Sequence, residues 1–217
     1  MATKKSETKE KAPAIDTAPI RKEIEDRLRS TKRDGIDGLI DYMDYVGFYK
    51  APASGGNHLH IPGGLAQHTI NVLHAAEKIS VAVLGGANLT IEMRCSIIIA
   101  AILHDLGKTG DYNKAMYVAN KLKSGNISEA KPWKRNPELY NIPHGIRSVK
   151  LATMYIDLEP DEEIAIMYHD GFQELSNRPF LGTLTTYPPL LLIIHWADMW
   201  ASQVMEKDDN ENKESEE

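Results

Sequence analysis

The chain has 217 residues, 42% of them hydrophobic, and a formal net charge of −6 at pH 7. That length and apolar content suit one globular domain with a sizeable core and polar tails. No stretch reaches the roughly 18 uninterrupted apolar residues of a membrane span, the Lys-rich start lacks the apolar segment of a signal peptide, and a lone cysteine excludes an internal disulfide; the expectation is a cytoplasmic protein with no membrane partner.

Taken in chain order, residues 1–17 are polar, charged and Pro-containing, and read as a disordered arm that buries too little to offset its ordering entropy. Helical composition runs from Ile20 to Ser30, and Ile36, Leu39, Ile40, Met43, Tyr45 and Val46 recur at the spacing of an amphipathic helix. The run APASGGNHLHIPGG (51–64) is a Gly- and Pro-rich loop carrying His58 and His60. A helix over about 64–83 then sets Leu65, His68, Val72, Ala75 and Ile79 on one face, which points His68 inward among apolar neighbours.

The most apolar stretch follows. SIIIAAILHDLGK (96–108) has a single polar side chain between Cys95 and Leu103, so it predicts a central buried helix about 16 residues long. Thr90 suits its N-cap and Gly107 a left-handed residue at its end. Cys95 within it reads as a small core residue. The helix delivers His104 and Asp105 side by side, a pair costly to bury without partners.

Between 110 and 140 the periodicity fails. Lys114, Lys121, Lys123, Lys131, Lys134 and Arg135 gather there with Tyr112, Tyr117, Trp133 and Tyr140, as a basic aromatic insertion with a hairpin turning at Ser124-Gly125-Asn126. Helices return over 143–158, from Pro160 to His169 and Gly171, and over 188–205 with His195 and Asp198. The last twelve residues, 206–217, hold seven acids against two lysines and read as a disordered acidic tail, leaving the body (18–205) nearly neutral.

Five of the eight histidines, His68, His104, His144, His169 and His195, thus fall on inner faces or helix ends, with Asp105 and Asp198 beside them. Each could simply pack; together they suggest a metal site. Imidazole mixed with carboxylate suits a divalent transition metal such as Mn, Fe, Co, Ni or Zn better than Ca, and the absence of cysteine ligands argues against a structural zinc knot.

His68, His104-Asp105 and Asp198 also reproduce the H…HD…D signature of the HD-domain metal-dependent phosphohydrolases. The segments GGLAQHT (63–69), AILHDLGK (101–108), PHGIRSVKLA (143–152), IAIMYHDG (164–171) and LLLIIHWADMWAS (191–202) resemble successive motifs of one branch, which includes the HD domain of YhaM-type 3′-to-5′ exoribonucleases and small HD proteins of bacteria and phages. The resemblance spans about 60–205 and implies an all-α HD-type helical bundle, with the insertion at 110–140, that hydrolyses phosphate esters or anhydrides.

It also implies roles. His68, His104, Asp105 and Asp198 would bind a first divalent ion, Mg included among the candidates; His144 and His169 would complete a second site bridged by Asp105, or would bind phosphate beside a single ion. Lys108, matching the lysine of the HDxGK motif, and Arg147, one turn after His144, would act with Asp105 in catalysis and contact substrate phosphate. From the residues themselves rather than the resemblance, the insertion's aromatic faces mixed with cations suggest that Trp133, Lys134 and Arg135, with His60 at the mouth, bind the rest of the substrate by stacking and charge. The implied substrate is a nucleotide, cyclic nucleotide or short oligonucleotide. Two readings compete: a deoxynucleoside triphosphate triphosphohydrolase, and a non-catalytic nucleotide-binding regulatory module.

Overall fold

The computed structural model describes residues 14–207. The expected disordered arm and acidic tail therefore lie outside the described residues, except for 14–17 and 206–207. The fold is all-α with one short hairpin: eight α-helices and a two-stranded antiparallel sheet among the described residues. No helix among them is long and apolar enough to cross a membrane.

Helix α1 (Ala18–Ser30) and α2 (Ile36–Tyr45) bury Ile24, Leu28, Leu39, Ile40 and Met43 against the helices that follow. Helix α3 (Gly64–Leu84) starts from Gly63, whose φ of +87° is left-handed, and turns Leu65, His68, Val72, Leu73 and Ala76 into the interior. Helix α4 (Ile91–Leu103) is the central one, touching α1 and α3. Thr90 caps it as expected, its hydroxyl accepting from the Met93 amide at 3.2 Å. All seven residues from Ile97 to Leu103 are buried; a helix without a polar face needs partners on every side, and later helices supply them.

The end of α4 departs from expectation. The α-helix stops at Leu103 and a 3₁₀ turn takes over at Leu106–Thr109. Gly107 within that turn is not left-handed; the left-handed residue is Gly110, at φ +104°. Gly107 serves close approach instead, since a Cβ there would run into the carbonyl oxygen of His144 and lie 2.9 Å from the Ser148 amide nitrogen. Helix α5 (His144–Ala152), shorter than the periodicity predicted, can therefore lie directly on the turn.

Helix α6 (Pro160–Met167) begins in a capping box formed by Glu159 and Glu162. Glu162 is fully buried and receives both guanidinium nitrogens of Arg33 at 2.8 Å, together with the Ser96 hydroxyl at 2.8 Å. The segment after α1, α4 and α6 are thereby joined through one carboxylate. Helix α7 (Arg178–Leu181) is a single turn, and α8 (Pro189–Trp200) packs on α3, α4 and α6. Past Trp200 the chain widens into a π turn over Ala201–Met205, closed by the Glu206 amide donating to the Ala201 carbonyl at 3.1 Å.

The insertion forms β1 (Tyr117–Ala119) and β2 (Trp133–Arg135), with Val118 opposite Lys134. Lys121 bridges Ile127 beyond them, and Gly125 at φ +84° makes the turn where the sequence put it. The base of the hairpin rests on the Gly-rich loop: the Trp133 indole donates to the His60 carbonyl at 2.8 Å and its amide to the Gly55 carbonyl at 3.4 Å.

Candidate metal centre

Six side chains from five segments converge. His68 comes from α3, His104 and Asp105 from the end of α4, His144 from the first residue of α5, His169 from just past α6, and Asp198 from α8. His68, His104, Asp105 and His169 are essentially inaccessible to solvent. Asp105 sits between two groups. Its Oδ2 is 3.5 Å from His68 Nε2 and 3.4 Å from His104 Nε2; its Oδ1 is 3.2 Å from His144 Nε2 and 3.5 Å from His169 Nε2. Asp198 Oδ1 joins the first group, 3.1 Å from His68 Nε2.

Hydrogen bonding around the rim decides what the rings present inward. His104 Nδ1 lies 2.8 Å from the Ala101 carbonyl and His169 Nδ1 2.8 Å from the Ile166 carbonyl. A carbonyl only accepts, so each Nδ1 carries the hydrogen and each neutral ring turns the Nε2 lone pair inward. His68 Nδ1 likewise faces the Glu206 carboxylate, at 2.9 and 3.0 Å. The Nε2 atoms of His68 and His104, 3.4 Å apart, then confront each other as two lone pairs. Both oxygens of Asp105 are buried and accept no aligned hydrogen bond, although Lys108 Nζ approaches Oδ2 to 2.6 Å.

Such a cluster of lone pairs is stable only with cations in it. Burial pulls the His68 pKa down, but hydrogen bonds to Asp198 and Glu206 outweigh it and raise it to about 10. His169, depressed by burial, is carried up to about 9 by Asp170 and Asp105. His104 has its pKa lowered by burial. Asp105 is held well below the ordinary carboxylate range, because Lys108 and His104 overcome its desolvation; Asp198 is lowered too, against burial, by His68. Protons thus supply positive charge where the rings crowd.

Metal ions fit the same places. Ligand atoms 2.1 Å from one ion are separated by about 3.0 Å along an octahedral edge and about 3.4 Å along a tetrahedral one. The nitrogen and oxygen atoms here lie 3.1 to 3.5 Å apart. His68, His104 and Asp198 could hold an ion on one side of Asp105, and His144, His169 and Asp170 on the other.

Asp170 was not singled out in the sequence, although His169-Asp170 repeats the His104-Asp105 dipeptide and was a usable signal. Its Oδ2 lies 3.3 Å from His144 Nε2. Glu206 was also missed: assigned to the acidic tail, it instead turns its side chain, 1% exposed, in between His58 and His68. No local pattern marked it. His195, the one of the five inner histidines given no ligand role, holds the His169 carbonyl through Nδ1 at 2.7 Å.

The other expected contacts lie elsewhere. Arg147 is buried, and its guanidinium donates to the carbonyls of Gly107 at 3.3 Å and Tyr140 at 3.0 Å, clamping the turn after α4 to the end of the insertion rather than facing phosphate. A cavity of about 530 Å³ opens over the centre, with Asn57, His58, Lys108, Asp170, Asp198 and Glu206 among its walls. No residue of the insertion lines it, and neither does His60. Trp133 instead shares a separate 200 Å³ cavity with Tyr117 and the other side of Lys108; Lys134 and Arg135 are exposed, with Arg135 donating to the Ile142 carbonyl at 3.1 Å. Of the predicted substrate contacts, only Lys108 is at the mouth. No family model, curated protein or solved structure matches the chain.

Proposed function

We propose that the chain is an HD-type phosphohydrolase that binds two divalent transition-metal ions, one on each side of Asp105, and hydrolyses a nucleotide or short oligonucleotide. The observation that carries the reading is the Asp105 carboxylate: buried, short of hydrogen bonds, and turning one oxygen to each of two imidazole pairs. Bound ions would supply Lewis-acid stabilisation of phosphate charge and acidify water at neutral pH.

The chain's own residues do the rest. The rim hydrogen bonds keep three imidazoles, those of His68, His104 and His169, oriented before any ligand arrives. Asp170 and Asp198 stand in both the centre and the cavity wall, so they meet whatever enters. Lys108, 13% exposed in its side chain, is the cation of the wall nearest Asp105 and takes the phosphate. The cavity volume suits one nucleotide.

The test is metal analysis joined to a substrate screen of nucleotides, cyclic dinucleotides and short RNA and DNA. We expect about two ions per chain and hydrolysis abolished by chelator, then restored by Mn. Asp105→Ala should lose most metal and all turnover. A protein that keeps two ions yet turns over nothing in the panel would sink the hydrolase reading in favour of a binding module.

A further inference from the structure

Glu206 has no part in the sequence motifs and lies beyond the last α-helix, yet its side chain, 1% exposed against 19% for Asp198 and 33% for Asp170, is the most enclosed of the three acids in the cavity wall. Three donors close on it. His68 Nδ1 faces both oxygens, at 2.9 and 3.0 Å, Asn71 Nδ2 donates to Oε1 at 2.9 Å, and His58 Nδ1 packs against Oε2. His68 and Asn71 stand one turn apart on α3, while His58 comes from the Gly-rich loop, so the carboxylate ties loop, helix and chain end together. A regular continuation of α8 would carry residue 206 along the helix axis; the π turn at Ala201–Met205 brings it back over α3.

We infer that Glu206 is a positioning residue that fixes His68 as a metal ligand through Nε2. A carboxylate on Nδ1 admits only the tautomer with hydrogen there, stops the ring from flipping, and strengthens the lone pair at Nε2. Glu206 does not reach the first ligand group itself, because the whole imidazole of His68 lies between. Asn71 and His58 keep the carboxylate from turning away. The inference rests on the metal reading above and not on the reaction assigned to it.

Ion stoichiometry and affinity in the full-length chain, measured with Zn and with Mn by chelator competition, test it. Glu206→Ala should weaken the ion on the His68 side by about 10- to 100-fold and leave the ion on the His144 side at wild-type affinity. Glu206→Gln, whose amide oxygen can still accept from Nδ1, should fall between the two. Equal affinities in all three proteins would overturn the inference, and so would a third ion lost with Glu206 or His58, which would make them ligands. Should Glu206→Ala not fold, Asn71→Ala and His58→Ala must each weaken that same ion alone, and unchanged affinity in both overturns the inference. A wild-type chain that binds no metal ends this inference and the metal reading together; one that binds two ions without turnover leaves this inference standing.

Discussion

At the scale of single residues, the centre is a set of charges that need one another. His68 and His169 titrate near pH 10 and 9 when folded, against about 6.5 when unfolded. A raised folded pKa gives stability that is complete below the unfolded value and is lost as pH rises through the folded one. The metal-free protein should therefore lose thermal stability steadily from pH 7 to 10, as Asp105, Asp198 and Glu206 are left facing neutral rings. Saturating metal ion should flatten that profile, since the ion replaces the protons. Melting scans across this range with and without chelator check it, and a flat metal-free profile would refute it. Arg147 gives a second contrast. Both of its hydrogen-bonded nitrogens hold backbone carbonyls, so Arg147→Met should reduce stability by roughly 1–3 kcal/mol while leaving KM little changed, the opposite of what a phosphate-binding arginine would show.

At the scale of elements, one contact seats the converging side chains and another holds the helices behind them. The first is the seat of α5 on the turn after α4. Gly107→Ala would put a methyl against the His144 carbonyl, pushing the first residue of α5 off the centre. We expect about 1–3 kcal/mol of destabilisation and selective loss of the ion held by His144 and His169, read by metal analysis. The second is the buried Glu162, which joins the segment after α1 to α4 and α6. Removing one partner of a buried pair strands the other, so Arg33→Met should cost about 3–5 kcal/mol in chemical denaturation, although Arg33 is far from the site in function. A cost below 1 kcal/mol would mean the pair is no more than a surface bridge.

For the whole molecule, the hairpin stands beside the mouth and not over it. Gly56 abuts Lys131 while Asn57 and His58 line the cavity, so the loop separates basic hairpin from centre. On the proposed function, a mononucleotide held in the cavity would not meet Lys134 or Arg135, whereas a longer strand leaving the mouth toward the hairpin would. Alanine at Lys131, Lys134 and Arg135 together should leave KM for a mononucleotide unchanged and raise it for an oligonucleotide, with the gap closing at high salt. An equal rise for both would mean instead that the hairpin reaches over the cavity.

Local pattern alone determined most of the helices, though not the early ends of α4 and α5 or the single turn of α7, together with the hairpin turn and the inward direction of His68, His104 and Asp105, because apolar periodicity and turn residues act within a few positions of themselves. It also singled out His144, His169 and Asp198 as residues of one chemistry. Tertiary structure alone decided that Asp105 stands between two imidazole pairs, since that depends on α5 riding over a glycine some forty residues earlier in the chain. Only there does Arg147 become a clamp, its guanidinium meeting the Gly107 carbonyl from forty positions earlier together with that of nearby Tyr140. Glu206 is the extreme case. In sequence it is one acid at the head of an acidic run, and nothing within reach of it along the chain says that a π turn will carry it to His68. Contacts between residues separated by 138 positions are made by packing, and packing leaves no mark in the spacing of neighbours.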